Sequence, residues 1–273
     1  MMPGGLEHER NYSMASGKCY LEGYGSCAGG ISREHYISRN ILEFGSTGKA
    51  VKIGGLPWQP PSTMQAIGLS SLAAPILCQH HNKSLKPMDT QAGRLMRVLN
   101  SIDKVPAKVS AITYVHGPTF ERWMLKVFCG LAACGHFNNG FIPREWKEIL
   151  VGGAWPAFWG AYFPLGFGPV TVSDGLSFET KVHPETREIK AVKFYFFGLH
   201  VNLCFGIPGG DYSGQMRWGI RQPRRINFLN EPQCKTIDLM WAGGSGEEVT
   251  YVRTGSTNSG PDYLKYFPYD DSA

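Results

Sequence analysis

Two cysteine-bearing segments, far apart in the chain, constrain the fold more than any other feature. Cys19 and Cys27 frame a loop containing Gly23, Gly25 and Ser26, and Cys78 is separated by two residues from His81 in Cys78-Gln79-His80-His81-Asn82. Tetrahedral structural zinc sites take Cys and His in two such pairs, because one tight turn presents each pair to the ion. The Cys78/His81 spacing is that of a knuckle. The first pair has a wider gap of seven residues, which the glycines allow to close. His80 competes with His81 for the fourth position. Three thiolates and one imidazole leave no open coordination position, so such an ion holds structure rather than reacts.

The surrounding segment is one where a metal staple is useful. Residues 18–87 are rich in Gly and Pro, with one clear strand at Lys49–Ile53 running into Gly54-Gly55-Leu56-Pro57-Trp58-Gln59-Pro60-Pro61. A short irregular segment buries too little apolar surface to order itself. The other four cysteines, Cys129, Cys134, Cys204 and Cys234, bring the total to seven, and they read as buried apolar thiols rather than a disulfide framework. The first ten residues are polar and unlike a secretory signal. The expected location is therefore cytoplasmic. No apolar run approaches the ~18 residues of a membrane helix, so no membrane partner is expected.

Beyond the metal segment the chain has the composition of a folded protein, 42% apolar and 18% charged over 273 residues. Residues 1–17 read as a flexible lead. A helix is expected with Ala92, Leu95, Met96, Leu99 and Ile102 on one face, capped by Asp89. A second helix carries Phe120, Trp123, Met124, Val127, Phe128 and Leu131 after a Gly117-Pro118-Thr119 start, and this stripe reads as core. A third runs from Arg144 to Leu150. Short Val-, Phe-, Tyr- and Ile-rich runs follow, at Val170–Val172, Ser177–Val182, Ile189–Phe197, Leu199–Phe205, Met216–Ile220, Thr236–Trp241 and Glu248–Arg253. Turns separate them, including Ile207–Asp211. The expected class is α+β: a zinc-stabilised module over 18–105, then helices and an antiparallel sheet over 106–273, with a boundary near 103–108.

Between the two Cys segments lies Ser32-Arg33-Glu34-His35. Phosphodiester hydrolysis requires a base for water and a cation for the charge developing on the phosphate. Glu34 and Asn82 are oxygen donors suited to a hard divalent cation, and His35 is a base with a pKa near neutrality. Adjacent strand residues face opposite sides, so Glu34 and His35 share a site only where the backbone bends.

The order Cys…Cys…Glu34-His35…Leu77-Cys78-x-x-His81-Asn82 resembles the HNH (ββα-metal, His-Me finger) endonucleases of zinc-knuckle type, over about 70 of the 273 residues. The resemblance implies a β-hairpin carrying Glu34-His35, followed by a helix carrying Asn82. It implies His35 as general base, Glu34 and Asn82 as ligands of a catalytic Mg²⁺ or Mn²⁺, and Cys19, Cys27, Cys78 and His81 as ligands of structural Zn²⁺. DNA is the substrate it implies. The family's base-orienting Asn has no counterpart in Leu69-Ser70-Ser71-Leu72-Ala73-Ala74-Pro75, which leaves Ser70 or Ser71 for that role.

The net charge of +5 permits a polyanionic partner without requiring one. Candidate nucleic-acid contacts are Arg33, Lys83 and the cluster Arg221, Arg224 and Arg225, with Trp218 and Phe228 nearby for stacking. A homo-oligomer is compatible with the sequence. Elsewhere, His116, Glu121 and Arg122 read as a helix start, and Gly243-Gly244-Ser245-Gly246 as a hairpin turn rather than a phosphate loop. Two further readings stand beside the nuclease. One is a non-catalytic zinc module binding nucleic acid or protein. The other is a small-molecule enzyme seated among Trp155, Phe158, Trp159, Tyr162 and Phe163.

Overall fold

The computed structural model describes residues 18–60, 63–101, 112–164, 175–183, 185–186, 188–196, 199–206, 219–230, 233–241, 246 and 248–252. The expected lead over 1–17, the boundary near 103–108, the strand at Val170–Val172, most of Met216–Ile220, the turn at Ile207–Asp211 and Gly243–Ser245 lie outside them. The described residues mix helix and sheet, which is the α+β class expected from the sequence.

The first part of the chain runs β1 (Ile31–His35), α1 (Arg39–Phe44), β2 (Ser46–Thr47), β3 (Ala50–Gly54), β4 (Met64–Gly68), a 3-10 turn at Leu69–Leu72, β5 (Ala73–Cys78) and α2 (Gln79–Ser101). The rest comprises β6 (Ile112–His116), α3 (Gly117–Ala133), α4 (Arg144–Leu150), β7 (Gly160–Phe163), β8 (Gly175–Val182), β9 (Ile189–Phe196), β10 (Leu199–Cys204), β11 (Ile220–Arg221), β12 (Arg225–Asn230), β13 (Gln233–Met240) and β14 (Glu248–Val252).

These strands form three sheets. β1 pairs antiparallel with β5, Ile31 opposite Cys78 and His35 opposite Ala73, with an irregularity between Ser32 and Arg33. The largest sheet runs β11-β7-β10-β9-β8-β3-β2, with β4 on β3; the third runs β14-β12-β13-β6. The sheets are not purely antiparallel, as the sequence had suggested. β3 pairs parallel with β8, β6 with β13, and β12 with β14. A parallel pair needs a long crossover; α2 and α3 lie in the one between β3 and β8, and α3 in the one between β6 and β13.

The helix α2 begins at Gln79, ten residues before the Asp89 cap expected from the sequence. Leu85, Met88, Ala92, Leu95, Met96 and Leu99 form its buried face, a helical repeat that starts as soon as β5 ends. The exposed Pro87 lies inside it. Asp89 is instead an inward-reaching side chain, described below. In α3 the expected core stripe is buried throughout. His116 caps α3 by accepting the Thr119 backbone N–H at 3.3 Å, as its reading as a helix start requires.

One buried cluster runs from Cys19 through α2 and α3 to Ile226. Its densest part is aromatic: Phe128 meets Trp146 and Phe205, and Trp123 meets Phe120 and Phe196. At Gly130 an added Cβ would stand 2.6 Å from the Tyr36 Cβ, so α3 lies directly against the residue that follows β1. No helix among the described residues is long and apolar enough to cross a membrane.

Candidate metal centre and the adjoining cleft

The loop from Cys19 to Gly30 passes three times through left-handed backbone, at Gly23 (φ 89°), Gly25 (φ 103°) and Gly29 (φ 72°), conformations that cost a glycine little. Gly25 lies 3.6 Å, measured from an added Cβ, from His81 Nε2. These turns bring Cys19 and Cys27 back to the β5–α2 junction, where the backbone of Tyr20 donates to the Ile76 carbonyl at 3.0 Å.

Cys19, Cys27, Cys78 and His81 converge there, their ligand atoms all within 4.8 Å of one another. The three sulfurs stand 3.2, 3.6 and 3.2 Å from His81 Nδ1. Zn–S and Zn–N bonds of about 2.3 and 2.0 Å in a tetrahedron imply S···N edges of roughly 3.5 Å, so the spacing fits. His81 Nε2 lies 3.1 Å from the Tyr24 carbonyl. With the proton on Nε2 donating there, the Nδ1 lone pair faces the sulfurs, the usual outer support of a metal-bound imidazole. The backbone N–H of His81 reaches Cys78 Sγ at 3.4 Å. Burial pushes the Cys78 thiol up, but N–H donors from the His81 and Ala28 backbones bring it down to about 6. Three soft sulfurs and one imidazole nitrogen are a donor set for a metal such as zinc. His80, exposed with its ring 5.4 Å from that of His81, is not in the cluster.

A cleft of about 680 Å³ adjoins this cluster. Glu34 and His35 at the end of β1 line it, with Asn82 in the first turn of α2 and Asp89 two turns further on. Seven residues return a helix to the same face, which puts Asn82 and Asp89 on one side. Arg39, Lys83 and Lys86 complete a basic rim. The Asn82 amide donates to Ser32 Oγ at 3.1 Å, tying the helix to β1. Burial holds His35 below its ordinary pKa, with Glu34 and a hydrogen bond to the Leu69 backbone working the other way. The group beside His35 is thus the Leu69 main chain, supplied by the 3-10 turn, rather than a Ser70 or Ser71 hydroxyl. The backbone oxygens of those serines accept from Arg33 and from the Tyr36 hydroxyl instead.

Two lining residues of the cleft, Glu34 and Asp89, are held by a group that sequence reasoning missed. Lys126 of α3 is 2% exposed, and its Nζ donates to Glu34 Oε1 at 3.0 Å and to Asp89 at 2.8 and 2.7 Å. Ser38 Oγ donates to Asp89 Oδ1 and accepts the Trp123 indole N–H at 2.6 Å. A buried ammonium this deep survives only when paired and hydrogen-bonded. At 100° per residue Lys126 falls off the apolar stripe of α3, where a solvated lysine is expected. The helical repeat therefore gave no signal, and only the approach of Glu34 and Asp89 to that side of α3 reveals its role.

Most of the other nominated contacts carry bonds within the protein. Arg33 donates to the Ser70 carbonyl, Arg221 to the Trp159 carbonyl at 3.2 Å, and Arg225 pairs with Asp238 at 2.6 Å. Arg224 is exposed, and Lys83 is exposed beside the cleft; the side chains of Trp218 and Phe228 lie outside the description. Glu121 is buried against β7 and accepts the Ala161 N–H at 2.6 Å. Tyr162 and Phe163 are core residues, and Trp159 packs on Phe205. No protein-family model, curated protein or solved structure matches this chain.

Proposed function

We propose that this protein is a metal-dependent endonuclease of HNH type, hydrolysing phosphodiester bonds in DNA, with structural zinc in the Cys19/Cys27/Cys78/His81 cluster. The observation that supports this reading is the shared cleft. Glu34 and His35 end β1, and Asn82 stands in the first turn of α2 just after β5, the strand that pairs with β1. α1, β2, β3 and β4 intervene, so this pair is not the hairpin expected from the sequence, yet all three residues line one cavity beside a zinc-type donor set. His35, with its pKa lowered, is uncharged at neutral pH and takes the proton of a water attacking phosphorus. A divalent cation on Glu34 and Asn82 would supply neutralisation of the charge developing on the phosphate. Lys126 fixes the Glu34 carboxylate, and Arg39, Lys83 and Lys86 meet phosphate oxygens at the rim.

Plasmid incubated with Mg²⁺ or Mn²⁺ tests this. His35→Ala should lower the nicking rate by about 10²–10⁴-fold, and nicking by the wild type should fall only below the ordinary histidine range as pH drops. Equal nicking by the variant rejects the assignment.

A second reading, a non-catalytic zinc module binding nucleic acid or protein, has one observation in its favour. Lys126 is shared between Glu34 and Asp89, and Arg39, Lys83 and Lys86 also line the cleft, so basic groups there outnumber the two carboxylates that a second cation would need. Binding that persists without any added divalent cation, together with no nicking in its presence, selects it.

A further inference from the structure

The helix α2 carries four basic side chains, Lys83, Lys86, Arg94 and Arg97, all exposed. At 100° per residue they fall within an arc of about 80°, on the side opposite the buried Leu85, Ala92 and Leu99. Thr90 occupies the one gap in the stripe. An amphipathic helix ordinarily mixes both signs on its wet face. Here the only acidic residue between Gln79 and Ser101 is Asp89, and it turns away from the stripe to pair with Lys126. None of the four basic groups has an acidic partner among the described residues. Lys83 and Lys86 also line the cleft, so the stripe starts at the site and leads away from it. Lys83 to Arg97 is fourteen residues, which spans roughly 21 Å.

We infer that this stripe is a phosphate track: α2 lies along one backbone of a double-stranded nucleic acid and feeds the scissile bond into the cleft. The inference rests on the nuclease reading and names the form of its substrate. The charge is single-signed, confined to one line along the helix in two pairs about 12 Å apart and carried on a rigid helix, which suits a polyanion with a stiff backbone. Tracking a single strand would call for aromatic platforms on which bases stack, and α2 holds no Phe, Tyr or Trp. Contacts made only to phosphates carry no sequence information, so the track positions a duplex without selecting its sequence. This shifts the expected contact surface from Arg221 and Arg225, which are bonded within the protein, to α2.

Fluorescence anisotropy, with no divalent cation added, compares a labelled duplex of about 20 base pairs, the same strand alone and polyglutamate. The duplex should bind tightest. Each lost phosphate contact lowers the slope of log affinity against log salt by about 0.9, so for R94Q/R97Q the loss between about 50 and 200 mM salt should be about twelvefold smaller than for wild type. Both substitutions are on the exposed face, and unchanged circular dichroism and zinc content establish that the fold persists. An unchanged salt slope, or equal affinity for single strand or polyglutamate, overturns the track. The two proposals fail separately. Nicking without a slope change sinks the track alone, whereas the expected slopes without nicking sink the nuclease alone.

Discussion

Residues 18–35 and the helix α3 both pack into the same core, but by different means. The first segment offers only Cys19, Tyr20 and Leu21 to the interior before a largely exposed loop that turns through left-handed Gly23, Gly25 and Gly29 to reach β1. Its position depends on three sulfurs and an imidazole meeting at the β5–α2 junction. The second is buried almost all round, with Trp123, Phe120 and Phe128 fully enclosed. Where apolar area is plentiful, burial fixes the backbone and leaves nothing exposed for chemistry. Where it is scarce, polar and metal-type groups must do the holding, and the cleft forms beside them. Lys126 joins the two regimes, a charged side chain from the apolar helix anchoring the strand that carries Glu34 and His35.

The sharpest way to break this contrast is Cys78→Ser. Structural zinc contributes about 10–16 kcal/mol to folding in small zinc peptides, so the variant should lose its zinc equivalent and its proteolytic protection around residues 18–35. Elemental analysis and limited proteolysis check this; retained zinc and protection would show that the loop is held by packing after all. Phe128→Ala is the counterpart in the other regime. It should cost about 3–5 kcal/mol in denaturant unfolding while leaving zinc content unchanged.

Lys126→Met sharpens the link between the two. Removing one partner from a buried charge network costs roughly 3–5 kcal/mol, because Glu34 and Asp89 are left facing each other. The triple variant K126M/E34Q/D89N should recover much of that loss. If the single variant unfolds no more easily than wild type, the network is not what anchors β1 to α3.

A smaller, pH-dependent effect belongs to α3 alone. Burial pushes the Glu121 carboxyl from 4.5 up to about 7, against the Ala161 N–H, Gln222 and the nearby Arg221 and Arg122. With the folded pKa above the unfolded one, the stability this group contributes is present below about 4.5 and is lost as pH rises past 7. Glu121→Gln should therefore be the more stable form at pH 8, by on the order of 3 kcal/mol, and lose that advantage near pH 4. Thermal melts across that range decide it; a constant difference would mean the carboxyl does not titrate between these values.

Much of this was legible along the chain because it is written locally. The Cys78/His81 knuckle, the apolar stripe of α3 and the strands β8, β9 and β10 each follow from neighbours within a few residues. β1 and β5 were not legible. Neither alternates apolar and polar residues cleanly, because their two-stranded sheet has no second layer of strands to set a period. The start of α2 was misplaced because Pro87 and the polar run from Gln79 to Lys86 imitate a loop, whereas the helix is set by its junction with β5. Asp89, named as a cap, is instead a partner of Lys126.

The sequence by itself determined the donor types: soft sulfur and imidazole in pairs, with a carboxylate, an imidazole and an amide between and after them. Spacing of that kind is a local property of the covalent chain. Only the tertiary structure decided which histidine joins the cluster, which backbone group meets His35 and which buried amine balances Glu34. Those choices depend on approaches between residues 62, 34 and 92 positions apart, which packing fixes and no local pattern encodes.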